Sequence, residues 1–271
     1  MTGRFQRSGV VLIDPNTAVE RGASSVERMS PDPLQALRFT LYDTPPTFGP
    51  NVKMNSDTTT FRHNETSICV NPANPNNLVG GANDYRERAT GGDVEAYFYT
   101  STDGGATWVD GSAYEPRNPT YPVSGDPAVV CGPDSTVYYA YITFSRSLND
   151  DLLSVSKSTD GGLHWLARVD MGQAGTFNDK EFIAVDNTAG PTRGNVYVSW
   201  TNCPSACTGI LFRRSTDGGA TWGPIVTLYS GDSQGSVPAV APNGDVYVAW
   251  VITNATRIRR STDGGQTFGP T

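Results

Sequence analysis

Lysine is nearly missing from this chain of 271 residues: Lys53, Lys157 and Lys180 are the only three. The twenty basic residues, almost all arginine, face 27 acidic ones, and the net charge is −7. The arginines are scattered apart from Arg257, Arg259 and Arg260. That balance offers no electrostatic footprint for nucleic acid or an anionic membrane, so neither is an expected partner. Histidine is scarcer still, with His63 and His164 alone, which supplies neither a His-based triad nor a His-rich metal site. No apolar run approaches the roughly 18 residues of a membrane-spanning helix. Residues 10–13 follow Arg4 and Arg7, but four large aliphatics fall short of a signal-peptide core of about 7–15 residues, so no signal peptide is read in this chain. Phosphate-cradling Gly-x-x-x-x-Gly-Lys and dinucleotide fingerprints do not occur, and no cofactor or metal is expected.

Cysteine is sparse, with four in all. Cys203 and Cys207, in Cys-Pro-Ser-Ala-Cys, form a candidate local disulfide if the turn folds back. Zinc is the alternative for such a pair, but no second close pair exists to complete a site. Cys69 and Cys131 sit inside apolar runs and read as small buried residues.

Gly and Pro, by contrast, make up 48 of the 271 residues without a collagen period, while charged residues reach only 17%. Many short strands joined by many turns have this composition. An internal repeat organises them. Ser101-Thr-Asp103-Gly-Gly105-Ala-Thr-Trp108 returns as Ser158-Thr-Asp160-Gly-Gly162-Leu-His-Trp165, then as Ser215-Thr-Asp217-Gly-Gly219-Ala-Thr-Trp222, and finally as Ser261-Thr-Asp263-Gly-Gly265-Gln-Thr-Phe268. The intervals are 57, 57 and 46 residues, a period that signals propellers or arrays. Asp-Gly-Gly supplies positive φ, the Ser and Asp oxygens can bond amides inside the turn, and the aromatic anchors the next strand. Each octad therefore reads as a structural hairpin turn, with His164 a turn residue in the second.

Between octads the same order of β-rich runs recurs. The first unit has strands near 66–70, 77–81 and 96–100. The second has 127–131, 137–143, 153–157 and 165–169. The third has 182–185, 196–201, 210–214 and 222–228, and the fourth has 237–240, 246–251 and 256–260, then Phe268. Four short runs per unit predict an all-β fold, a β-propeller of four-stranded antiparallel blades, with about four blades over 61–271. Residues 1–60 carry no octad and read as an irregular N-terminal segment. Residues 51–55 or 10–13 could supply a closing strand.

The octads match the Asp box, or bacterial neuraminidase repeat, Ser-x-Asp-x-Gly-x-x-Trp/Phe, and the chain resembles the sialidase-like propeller superfamily. The stretch from Asn64-Glu-Thr-Ser-Ile-Cys-Val to Asp84-Tyr-Arg86, and Asp179-Lys-Glu-Phe-Ile-Ala-Val-Asp186, are similar to its bacterial branch. The resemblance implies a six-bladed propeller of which this chain is part, a secreted or cell-surface location, and exo-sialidase activity on terminal sialic acid of glycans. Asp boxes also occur in propellers that only bind, so a non-catalytic propeller binding glycan or protein is the alternative.

A sialidase of this family grips the sugar carboxylate with three arginines and uses an Asp acid/base and a Tyr nucleophile polarised by Glu; a planar guanidinium matches a carboxylate bidentately. The family's first Arg-Ile-Pro line is replaced here by Glu65-Thr-Ser-Ile68, with Arg62 just upstream. Asp84-Tyr-Arg86 resembles the line carrying a second arginine, and Asp93 falls in the loop of the acid/base. Arg62 and Arg86 are thus the expected substrate-binding residues and Asp93 the expected acid/base. No Tyr–Glu pair is assignable by motif.

Overall fold

The structure, a computed structural model, describes residues 49–171 and 176–270. The chain divides into two compact units, Met1–Pro50 and Asn51–Thr271. Every described strand lies in the second. β1 (His63–Val70), β2 (Leu78–Asp84), β3 (Glu95–Ser101) and β4 (Val109–Ser112) form blade 1. Blade 2 comprises β5 (Val123–Cys131), β6 (Val137–Phe144), β7 (Asp151–Ser158) and β8 (Val169–Asp170). β9 (Phe177–Val185), β10 (Val196–Cys203), β11 (Gly209–Ser215) and β12 (Val226–Ser230) make blade 3, and β13 (Gln234–Val240), β14 (Val246–Ile252) and β15 (Ala255–Ser261) make blade 4. All pairings are antiparallel, and the inner strands β1, β5, β9 and β13 pack side by side in chain order. The fold is a β-propeller of four blades.

Apolar alternation puts one hydrophobic layer between each pair of blades. Val79 and Phe98 meet Tyr139 and Tyr141 between blades 1 and 2. Ile142 and Leu153 meet Val198 and Trp200 between blades 2 and 3, and Phe212 meets Val248 and Trp250 between blades 3 and 4. Blade 4 exposes Val237, Val251 and Ile258 on its far face. Phe212, at the place in blade 3 that Ile258 holds in blade 4, is fully buried.

The octads close β-hairpins and also staple blades together. In the third, Ser215 Oγ donates to Asp217 Oδ1 (2.7 Å) and accepts from the Gly219 amide (2.8 Å), while Thr221 amide and hydroxyl donate to the same carboxylate. The pattern repeats in the other three. Thr107 and Thr221, hydroxyl first and then amide, hold Asp103 and Asp217 near a pKa of about 2. The turn then presents glycine carbonyls to the preceding blade. Asn77 and Thr100 donate to Gly161 and Gly162, Lys157 to Gly218, and Arg214 to Gly264 (2.9, 2.7, 3.0 and 3.0 Å). A Cβ at Gly162 would sit 2.8 Å from Val79, and that glycine has φ of 88°, so both space and conformation require glycine there.

Several sequence expectations are corrected. The run expected at 165–169 is a strand only from Val169, and that expected at 222–228 only from Val226. Trp165 leaves the sheet to pack between Phe98 and Tyr139 (5.4 Å to each ring), and Trp222 packs into the core between blades 2 and 3. Phe268 does likewise against Phe212 (4.9 Å), with no fourth strand among the described residues of blade 4. Residues 51–55 form no strand: Met54 lies over Gly80, and Ser56 donates its amide to Asp110 (2.8 Å). Residues 10–13 lie outside the described residues. Cys69 and Cys131, expected as small buried residues, form a disulfide because they lie at the ends of adjacent inner strands with Cα atoms 5.6 Å apart. Closing a 62-residue loop contributes about 4 kcal/mol on chain entropy alone. Cys203 and Cys207 are also bonded.

Ser215 is 1% exposed, so Ser215→Ala leaves the Gly219 amide without its acceptor and is expected to lower stability by about 1–3 kcal/mol. Urea denaturation measures this directly; an unchanged midpoint would show that the octad's inner hydrogen bonds are dispensable.

Candidate active site at the mouth of the propeller axis

Each inner strand is interrupted at the same place. Pairing shifts register between Asn64 and Ser67 in β1, between Gly125 and Ala128 in β5, and between Gln234 and Val237 in β13; β9 shifts opposite Ser199 and Thr201. The residue opening each bulge has positive φ: Glu65 (54°), Asp126 (57°), Lys180 (49°) and Gly235 (61°). Left-handed backbone costs a non-glycine residue about 1–2 kcal/mol. Three charged side chains are held in it, so the surrounding structure must over-determine each of them. Asn83 of blade 1 secures one of them, accepting the Asp126 amide (2.7 Å).

The bulges bring these side chains together at one end of the axis. Lys180 Nζ donates to Glu65 Oε2 (2.9 Å), joining blade 3 to blade 1 across the inner strand of blade 2. Glu65 and Asp126 are close enough that each carboxyl shifts the titration of the other. They border a cavity of about 460 Å³ whose walls include Tyr85, Phe144, Phe177, Arg146 and Asp179. Burial, then the neighbouring Glu65 charge, pushes Asp126 up to about 6. Burial also acts against ionised Glu65, but the Lys180 ammonium outweighs it and holds Glu65 below its ordinary value. One carboxyl of the pair therefore keeps a proton into mildly acidic solution while the other is charged, as expected of two carboxyls sharing a site.

More carboxyls lie behind and beside the pair. Asp179 accepts from Gln234 (2.6 Å). Asp151 accepts from the Asn178 amide (3.0 Å) and side chain (2.6 Å), linking blades 2 and 3; burial raises it to about 7. Glu181 is fully buried, its oxygens have no hydrogen-bond partner from another residue among the described residues, and burial followed by the Asp126 charge pushes it well above the carboxylate range.

The residues singled out in the sequence lie around this cavity or behind it. Asp93 is at the rim, bound by Arg146 through Nε and Nη2 (2.7 and 3.1 Å) and by Arg88 (3.2 Å). Those Arg146 hydrogen bonds hold it far below the ordinary carboxylate range, so it stands as a charged counter-ion. Arg62 lies over the Tyr85 ring at 4.8 Å. Arg86 is directed elsewhere: it pairs with Asp84 (2.6 Å) and Asp110 (2.7 Å) and stacks on Tyr97 (4.2 Å). His63 also reaches Asp84 (2.8 Å) in this network, and Asp57 lies nearby. The three could surround a cation, but the Arg86 guanidinium already occupies that charge. A Tyr–Glu pair exists in Tyr97 and Glu87 (2.8 Å), beside Arg86 and outside the lining of the central cavity. Sequence reasoning missed Glu65, Asp126, Lys180 and Glu181 as a group. The signal was four aligned hexads, Glu65–Val70, Asp126–Cys131, Lys180–Val185 and Gly235–Val240, whose first position is charged in three.

No family model and no curated protein matches the sequence. Among solved structures, a leech intramolecular trans-sialidase is similar over 83% of this chain and 53% of its own, at 13% identity and a TM-score of 0.60. The Hadza microbial sialidase Hz136 is similar over 76% of this chain and 45% of its own, at 16% identity and a TM-score of 0.56. An α-L-arabinanase of Penicillium chrysogenum is similar over 80% and 69%, at 18% identity and a TM-score of 0.56. This chain spans about half the length of those two sialidases. What it shares with all three is the fold, a β-propeller found in glycoside hydrolases.

The pKa shifts fix a pH dependence of stability. Asp126 and Asp151, raised to about 6 and 7, bind protons more tightly folded than unfolded, so stability falls as pH rises from about 4 to 7. Asp103 and Asp217, depressed to about 2, lose their contribution as pH falls below about 4. Urea midpoints are expected to be highest near pH 4–5 and to decline toward 7.5, less steeply in Asp151→Asn. A midpoint that is flat or rising from pH 4.5 to 7.5 counts against the buried, protonated carboxyls.

Proposed function

We propose that this propeller is a glycoside hydrolase whose acid is the Asp126–Glu65 pair. The observation carrying the proposal is that pair, set on strained bulges in a cavity with aromatic walls and a third carboxylate, Asp179. Aromatic faces suit the apolar faces of a sugar ring, and convergent polar groups orient it. Protonated Asp126 donates to the glycosidic oxygen as the bond to the anomeric carbon breaks. Lys180, paired with ionised Glu65, favours the Asp126 carboxylate that remains. Water adds to the anomeric carbon and loses its proton to Asp179, and solvent then restores both groups.

The finer reading is a sialidase-like, Asp-box enzyme acting on terminal sialic acid. The four octads support it, as does Arg146, a guanidinium lining the cavity with Asp93 as its counter-ion. Within that reading Asp93 positions Arg146, and Arg62 faces the substrate from the rim. The two disulfides support an extracellular or cell-surface location.

A panel of fluorogenic α-sialoside, α-L-arabinofuranoside and β-galactoside between pH 4 and 7 tests the proposal. Turnover of at least one substrate is expected, falling above about pH 6, with kcat reduced about 10²- to 10⁴-fold in Asp126→Asn. Absence of turnover on all three, or an Asp126→Asn variant as active as the parent, would overturn it.

A further inference from the structure

We infer that a second pocket, separated from the central cavity only by Tyr85, is a subsite for an anionic group on the sugar adjoining the one that enters the cavity. The inference deepens the hydrolase proposal and rests on its cavity. Tyr85 lines both spaces: the central cavity on one side, and on the other a pocket of about 330 Å³ formed with Thr60, Phe61, Arg62 and Arg88. A ligand leaving the cavity over Tyr85 therefore runs directly into the second pocket.

Its charge is the reverse of the protein's. The chain carries a net −7, yet Arg62 and Arg88 both stand over the Tyr85 ring, at 4.8 and 5.0 Å from its centre. Arg62 has no ion-pair partner among the described residues. Arg88 shares Asp93 with Arg146, which takes that carboxylate through two nitrogens. Two guanidiniums thus share one carboxylate, and the third, Arg62, pairs with none among the described residues. Glu87, the neighbouring acid, makes no ion pair with them; its carboxylate accepts from Tyr97. Two cations on one aromatic ring repel each other, and attraction to the ring face holds each in place. An anion between them would be bound by both, and guanidinium matches the planar oxygens of carboxylate and the oxygens of sulfate alike. Phe61, 39% exposed, supplies an apolar surface for the sugar that carries the anion.

Calorimetric titration of the Asp126→Asn full chain, which should bind without turnover, tests this with three probes: a galacturonate trisaccharide, a sulfated galactose trisaccharide and neutral galactotriose. At least one acidic probe is expected to bind ten-fold or more tightly than the neutral one, the advantage shrinking between 50 and 300 mM salt. Arg62→Ala/Arg88→Ala should abolish the advantage, bringing the acidic probes down to the affinity of galactotriose in the same variant, with circular dichroism confirming the fold. The two acidic probes separate carboxylate from sulfate. Equal binding of acidic and neutral probes, no binding of any, or an equal loss for both in the double variant overturns the subsite. Charge-dependent binding by a chain whose parent turns over no glycoside would instead sink the hydrolase reading and leave the subsite standing.

Discussion

The central ion pair between Lys180 and Glu65 is the contact on which the functional face depends. It spans from blade 3 to blade 1, passing the inner strand of blade 2, and both partners occupy left-handed backbone. Without a compensating interaction, three non-glycine bulges would each cost about 1–2 kcal/mol. Here the strain is offset by charge pairing in a partly buried setting, where an opposite charge is worth more than at an open surface. The same pairing sets the chemistry. Because Lys180 keeps Glu65 ionised, the adjacent Asp126 is the carboxyl that retains a proton.

Blade scaffolding and site chemistry come from different parts of each repeat. The octad is local: its Ser, Asp and second Gly bond one another within four residues, so the sequence pattern and the hydrogen bonds coincide. Blade number and strand centres were therefore legible. Strand ends at Trp165 and Trp222 were not, because these aromatics are drawn off the sheet into the core shared with the preceding blade, a tertiary preference overriding a local one. The Cys69–Cys131 bond was hidden for the same reason, since it depends on two inner strands ending side by side.

The bulges explain why the site itself was harder to read. Glu65, Asp126 and Lys180 lie in runs that look like ordinary strands, and their left-handed conformation comes from neighbours such as the Asn83 side chain. Motif matching pointed instead to loops of blade 1. Asp93 binds Arg146 of the cavity wall and Arg62 lies over the Tyr85 ring, whereas Arg86 closes a buried ion network with Asp84 and Asp110. Short-range pattern can place a residue at the end of a strand; it cannot tell which way that loop turns its side chain.

A repeat of identical blades would put four equal charges around the axis, and like charges so placed would repel. The first position of the four hexads avoids this by divergence: Glu65, Asp126, Lys180 and Gly235. One acid is neutralised by the lysine, the second holds a proton below about pH 6, and the glycine adds no side chain to the mouth. The neighbour of that glycine, Gln234, reaches instead to Asp179 and fixes the carboxylate on the other side of the cavity. Repetition thus supplies four equivalent bulges, and the unequal residues placed on them set a carboxyl of raised pKa, a charged carboxylate and an ammonium at distinct positions.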